Sequence, residues 1–340
     1  MAGPYLTANS YLGIIKEGTA GTLPSSGTPS WIPVTSPQIT PEQVFLRDEA
    51  LRGSATTVYD QVQGVRHDIF EFKSYLFADT FPILAQSILG GADAVAGSSF
   101  YTHTIRLLNS PSTGSQPPTY SILDFDGANY FTTTGSQADS LAIAFGAETA
   151  AEATVKYLAN PYTSYSAAPT VFATQSLSSE HMIPAWNTTV TIGGTPFTNV
   201  LSGDLTFNRK TLPIFTLGTQ SPYELFAGPL EVTGKLTLIV ATNMDPFSTP
   251  SNTAYTPGFA LTRTPQPVVI TLTDPNDTTV INHSITFAMT TAQFHNVKRT
   301  RGKEFTEIEV EFTANANATD ASTGYSPIRV STINGQSTAY

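Results

Sequence analysis

The sequence predicts an all-β fold with minor α content, arranged as two tandem β-sandwich domains with one short helix each. Three observations carry this reading. Charged residues are 12% of the 340, about half the usual share of roughly 25%. Thr, Ser, Gly, Pro and Asn take their place, a mixture that suits strands and turns. Apolar residues reach 40%, with 20 Phe and 14 Tyr, and much of this material alternates with polar positions in the strand period.

The third observation is an internal repeat. Tyr59-Asp60-Gln61-Val62-Gln63-Gly64 leads into a strand-like run over 65–77, and Tyr223-Glu224-Leu225-Phe226-Ala227-Gly228 leads into another over 229–241. The offset from Tyr59 to Tyr223 is 164, and no gap is needed through Thr80 and Met244. Residues 150–160 lie over 305–315 at an offset of 155, set by Glu152 and Glu307. Two amphipathic strands can match by chance, but the shared order along the chain favours duplication. The implied boundaries are an N-terminal arm over 1–40, a first domain over 41–160, a linker over 161–184, a second domain over 185–322, and an extension over 323–340.

In chain order, residues 18–37 carry breakers every few positions and read as an arm or extended loop, anchored by Tyr11, Ile14 and Trp31. Residues 43–54 read as a charged loop containing Arg47, Asp48, Glu49 and Arg52. The strand after Tyr59 divides into two faces: Asp68, Phe70, Phe72, Ser74 and Leu76 on one, His67, Ile69, Glu71, Lys73 and Tyr75 on the other. Residues 81–89 form the convincing helix, with Pro82 in its first turn and Gly90-Gly91 closing it. Strands follow around 102–108, 119–123, 141–145 and 151–158. Gly193-Gly194 turns a hairpin. Leu205 and Phe207, then Val232, Leu236, Leu238 and Val240, alternate with polar positions. Strands over 268–272, 284–288, 307–313 and 328–333 complete the set; the last either caps its own sheet or reaches a neighbour.

Chemistry-bearing patterns are weak. With no cysteine there is no disulfide framework, thiol nucleophile or Cys-based zinc site. His67, His103, His181, His283 and His295 lack metal-ligand spacing. Asp124-Phe125-Asp126-Gly127 starts like a calcium loop but lacks the later ligands, so a turn is expected. No Gly-x-Ser-x-Gly elbow or phosphate loop is present, and Asn187, Asn276, Asn282 and Asn317 matter as glycosylation triplets only on secretion. The start of the chain has no basic stretch leading into an apolar one, so no secretion signal is expected. No apolar run is long enough to cross a bilayer as a helix. Neither catalysis nor a cofactor is expected. The net charge of −10 opposes a grip on nucleic-acid phosphates, which needs clustered cations. Lys298, Arg299, Arg301 and Lys303 form one basic cluster, read as a solvated hairpin turn at Gly302 that could also pair with carboxylates on an adjacent subunit.

Four stretches carry a likeness: residues 11–22 (Tyr11-Leu12-Gly13-Ile14-Ile15-Lys16-Glu17-Gly18 onward), 51–67 around Tyr59–Gly64, 223–236 around Tyr223–Gly228, and Gly324-Tyr325-Ser326-Pro327-Ile328. Together and in this order the chain resembles the tail tube (major tail) proteins of long-tailed bacteriophages, especially those infecting actinobacteria. The resemblance implies a β-sandwich whose inner sheet joins those of its neighbours into a continuous ring barrel, with a helix packed outside. It further implies stacked rings that form a DNA conduit in the virion tail, assembled in the host cytoplasm without a membrane. Tape measure, tail terminator and distal tail proteins are the implied partners. Family rings are commonly six-membered with one domain per subunit; two domains per chain favour a trimer of pseudo-sixfold symmetry over a hexamer.

A conduit must not hold its cargo, so a net acidic bore is expected. The candidates to line it are Glu71, Lys73, Glu152, Lys156, Glu231, Lys235, Glu307, Glu309 and Glu311, unless these merely solubilise an outer face. Inter-ring contacts are expected from Tyr11, Ile14, Trp31, Arg47, Asp48, Glu49 and Arg52. The competing reading is a tandem β-sandwich carbohydrate-binding or adhesin module, which needs an exposed aromatic platform and a secretion route. A β-sandwich hydrolase is a third, for which no constellation exists.

Overall fold

The computed structural model describes residues 6–176, 178, 180–239, 264–276, 283–302 and 304–340. Val240, the run on to Met244, Asn282 and Lys303 lie outside them. In the first half the strands are β1 (Tyr11–Lys16), β2 (Ser30–Ile32), β3 (Gln38–Asp48), β4 (Asp60–Tyr75), β5 (Ala94–Gly97), β6 (Tyr101–Arg106), β7 (Tyr120–Phe125), β8 (Tyr130–Gly146), β9 (Glu152–Ala159) and β10 (Thr163–Tyr165). The helix α1 (Phe81–Leu89) lies between β4 and β5. The second half contributes β11 (Thr188–Ile192), β12 (Thr195–Phe197), β13 (Val200–Asn208), β14 (Leu212–Ile214), β15 (Glu224–Phe226), β16 (Glu231–Ile239), β17 (Gln266–Thr273), β18 (Ser284–Arg301), β19 (Thr306–Ala314) and β20 (Arg329–Asn334).

Eight strands form one long antiparallel sheet in the order β3-β4-β9-β8-β13-β16-β19-β18. Its two halves meet at β8–β13, where Ser202 lies opposite Gly146 and Asn208 opposite Ser140. The alternating pattern puts Phe70, Phe72, Val155, Leu141, Phe207, Leu236 and Phe312 on the buried face, as the two-residue period of a half-buried strand requires. β8 and β18 are 17 and 18 residues long, and each changes partner strands partway along. The first part of β8 pairs with β7, which carries β1 and then β2. The first part of β18 pairs with β17, which carries β11 and then β12.

The two halves share their wiring, with fixed offsets along the ladders and a one-residue difference only at the bulges of β8 (Asp139) and β18 (Asn296). Shifting β4 by 164 and β9 by 155 turns the pair Glu71↔Lys156 into Lys235↔Glu311, which is the observed β16–β19 register. A shift of 156 on β8 turns Leu141↔Val155 into Val297↔Val310. A shift of 166 on β3 turns Gln38↔Glu71 into Asp204↔Lys235. The irregularity between Tyr120 and Ile122 in β7 recurs between Gln266 and Val268 in β17, an offset of 146.

α1 runs over the residues read as helical, and all nine are buried. Pro82 sits in the first turn, and Gly90 closes the helix at φ 78°, the left-handed conformation glycine adopts without strain. No second α-helix occurs among the described residues; the offset of 164 would place one at 245–253, outside them.

Two other expectations change, and one left open is decided. Residues 11–32 do not extend as an arm: β1 pairs with β7 and β2 with β1, and Ile14 and Trp31 are 0% and 4% exposed within their own chain. The breakers at 18–29 form only the turn between two core strands. The charged segment after Gln43 is strand as far as Asp48, paired with β4 down to Asp48↔Asp60. The C-terminal strand caps its own sheet, since β20 lies between β18 and β6 and so joins the two halves a second time.

Candidate functional site

The side of the long sheet away from the core is polar. Glu71 and Lys73 on β4, Glu152 and Lys156 on β9, Glu231 and Lys235 on β16, and Glu307, Glu309 and Glu311 on β19 all fall on it. Their neighbours on each strand are buried residues of the opposite face. The face is concave at the junction of the halves, with a hollow of about 490 Å³ bordered by Ala142, Ala144, Thr154, Asp204, Lys235 and Glu311. The structure therefore brings all nine sequence-selected residues onto one surface.

The lysines there are matched by carboxylates. Lys235 Nζ lies 3.0 Å from Glu309, Lys156 Nζ 3.1 Å from Asp139, and Lys73 Nζ 3.9 Å from Glu152. The hydrogen bond to Glu309 raises the Lys235 pKa. With six glutamates and three lysines in the set, the excess charge is negative. Exposed pairs of this kind contribute little to stability; their consequence is the field they present.

Two edges of the sheet end without a partner strand among the described residues. β3 pairs only with β4, and the 295–301 part of β18 pairs only with β19. Lys298, Arg299 and Arg301 project at the second edge and are exposed. Their hairpin closes with the Gly302 N–H donating to Phe305 O at 2.9 Å.

The long β3–β4 hairpin carries Val44, Phe45, Leu46, Leu51 and Val62 exposed. Its counterpart is β14–β15, where Leu212↔Phe226 stands as Leu46↔Val62 does in the first half, by the same offsets of 166 and 164. It too exposes apolar residues: Leu212, Ile214, Leu217, Tyr223 and Phe226. The two hairpins touch through the Arg66 N–H, which donates to Gln220 O at 2.8 Å. Of the inter-ring candidates, Arg47, Glu49 and Arg52 are exposed on the first hairpin, with Asp48 half-buried and paired to Arg52. Tyr11, half-buried, stacks edge-on against Trp31, which like Ile14 is buried within the subunit.

Sequence reasoning missed the buried polar groups that hold this frame. Glu17 accepts hydrogen bonds from Gly21 N–H, Thr119 Oγ1 and Ser121 Oγ, each at 2.7 Å, and from Gly135 N–H at 2.8 Å. Asp68, fully buried, accepts from Arg66 and from the Tyr162 N–H at 2.7 Å. Arg209, 3% exposed, donates to the carbonyls of Ile88, Leu89 and Gly228. A charged residue continuing the alternation of buried positions was the available signal, as Arg209 does after Leu205 and Phe207. Asp126 closes a turn by accepting from Ala128 and Asn129 N–H. Among the described residues no group of three His, Asp or Glu is placed to hold a metal ion, and no helix is long and apolar enough to cross a membrane.

No curated protein sequence matches the chain. A family model for phage tail tube proteins matches residues 7–324, which is nearly the whole chain and takes in both halves of the sheet. That family is structural rather than enzymatic, and its members are components of the virion tail. The chain belongs to the phage tail tube protein family.

Proposed function

We propose that this chain is the major tail tube subunit: it closes into rings, the rings stack, and the concave sheet face lines a bore that conducts DNA into the host. The observation that carries the reading is the eight-stranded sheet itself. It has one packed face, one open acidic face and, among the described residues, a free strand edge at each end. A sheet with open edges is prone to uncontrolled association, and closing it through neighbouring copies removes that liability.

The matching registers support an ancestral duplication, with one tube domain in each half: the first takes in β1, β2 and all of β3 beside 41–160, and the second spans 185–322. Three chains then make a pseudo-sixfold ring of 24 strands, eight from each. At a strand spacing of about 4.8 Å and a tilt of about 40°, such a barrel is about 48 Å across at the backbone. Allowing about 5 Å of side chain on each wall leaves a bore of roughly 38 Å, ample for a duplex about 20 Å wide. Six two-domain chains would double the barrel, far beyond that need. Stacking is assigned to the two exposed hairpins. Tape measure, terminator and distal tail proteins are the further partners by family analogy, with assembly in the host cytoplasm. The actinobacteriophage type rests on the four sequence stretches alone.

Electron microscopy of the concentrated protein tests the reading. Tubes with a central channel and rings of three chains by mass are expected; isolated monomers at all concentrations would refute assembly, and six-chain rings would refute the trimer. Replacing Glu307, Glu309 and Glu311 by Lys should leave tubes intact but slow DNA passage, since each added cation strengthens phosphate contact. Unchanged ejection kinetics in phage carrying that variant would remove these residues from the bore.

A further inference from the structure

The seam inside the chain is a template for the seam between chains. β8 and β13 join the halves with Ser202 opposite Gly146, Thr206 opposite Ala142 and Asn208 opposite Ser140. β18 is the counterpart of β8 at an offset of 156, and β3 is the counterpart of β13 at an offset of 166. Among the described residues, β3 and the 295–301 part of β18 are the strands whose outer edges are free at opposite ends of the sheet. Resting on the assembly reading above, we infer that β18 of one copy pairs antiparallel with β3 of the next in the transferred register. Ser36 then lies opposite Gly302, Gln38 opposite Thr300, and Thr40 opposite Lys298, the register ending at the β18 bulge at Asn296.

Three details of this chain fit that register. The transferred pair Ser36 and Gly302 repeats the residues of the observed pair Ser202 and Gly146. Thr40 repeats Thr206. Glu42 comes diagonally next to Lys298, within reach of a favourable cross-strand charge contact, and both are exposed in the single chain.

The internal seam also fixes which backbone groups are used. The Arg209 N–H donates to Asp139 O at 2.8 Å, and the Ala147 N–H to Leu201 O at 3.0 Å. Odd-numbered residues of β13 therefore exchange hydrogen bonds with β8. Their counterparts are Pro37, just before β3, and Ile39, Pro41 and Gln43 on it, and two of these four have no N–H to give. Proline is tolerated on a strand edge. Here it blunts the free edge of the unassembled subunit while leaving the carbonyls and the Ile39 and Gln43 N–H groups to the correct neighbour.

The even-numbered positions are then non-hydrogen-bonded pairs, in which Cα atoms approach to about 4.5 Å, within disulfide range. The natural chain has no cysteine, so engineered pairs read out cleanly. The double variant Thr40→Cys/Lys298→Cys, assembled and mildly oxidised, should give a reducible ladder of covalent multimers ending at the ring size. The variant Ala142→Cys/Thr206→Cys, the same pair inside one chain, should lose its thiols while staying at monomer mass. A pair displaced by two residues, Gln38→Cys/Lys298→Cys, should cross-link at least about tenfold less. Dominance of the displaced pair overturns the register. So does absence of multimers from the first variant in preparations where microscopy shows tubes and the internal pair has closed. If the unsubstituted protein forms no rings or tubes, the assembly reading falls as well.

Discussion

Arg209 is the sharpest place to test how the two halves are held as one body. It directly follows β13, yet its guanidinium reaches into the first half. Nε donates to Ile88 O at 2.8 Å and Nη2 to Leu89 O at 3.2 Å, at the C-terminus of α1; Nη1 donates to Gly228 O at 3.2 Å. Burial lowers its pKa from 12.5 to about 10, so removing the cation from water costs about 3 kcal/mol. Three charge-assisted hydrogen bonds return about 1.5–3 kcal/mol each, and a cation at a helix C-terminus adds up to about 2 kcal/mol. The balance favours the folded state by roughly 2 kcal/mol or more. Arg209→Met, similar in length and apolar, forfeits that balance and leaves the Ile88 and Gly228 carbonyls without this donor, so a loss of about 3 kcal/mol is expected. Arg209→Lys keeps the charge but not the fork, and should lose roughly half as much. Urea unfolding followed through Trp31 and Trp186 measures both. A loss below about 1 kcal/mol for Arg209→Met, with an unchanged denaturant slope, would refute the argument.

Glu17→Gln should cost about 2–4 kcal/mol, because an amide nitrogen replaces one of two oxygens that each face two donors; hydrogen exchange should rise first in β1 and β7, and uniform protection would count against it. At Gly234 a Cβ would stand 2.2 Å from the Phe312 ring, so Gly234→Ala should destabilise by about 1–3 kcal/mol and shift the thermal midpoint down, and a neutral result would show that the ring can move aside. His103 contacts Asp93 Oδ2 at 2.6 Å through Nδ1 and Gln336 O at 2.9 Å through Nε2, and Asp93 also receives the Tyr340 N–H. Burial pushes its pKa down, but the Asp93 hydrogen bond and charge outweigh this and leave it raised above 6.5. A raised folded pKa stabilises fully below 6.5 and is lost as pH rises through the folded value. The C-terminal segment should therefore loosen on the alkaline side, read as faster carboxypeptidase trimming, and His103→Gln should abolish that pH dependence.

Local pattern was enough for the fold class, the faces and the helix. Period-2 alternation assigned Glu71, Glu152, Glu231 and the three glutamates of β19 to a face opposite Phe72, Val155, Leu236 and Val310, because strand geometry alone dictates sidedness. Pro82 and Gly90 bounded α1 because each restricts or permits backbone angles at a single residue. The offsets of 164 and 155 carried the register of β4 on β9 into β16 on β19, since repeated segments preserve their internal spacing. Tertiary structure decided what depends on contacts distant in sequence. Residues 11–32 became core strands only because β7 offers an edge and the core a place for Trp31. The long strands β8 and β18 read as short runs because each changes its pairing partners partway, and the exchange leaves no local signature. The meeting of β8 with β13, the insertion of Arg209 at the end of α1, and the seating of β20 between β18 and β6 are likewise invisible to periodicity. Each is fixed by which edge and which carbonyl remain unsatisfied once the other strands have packed.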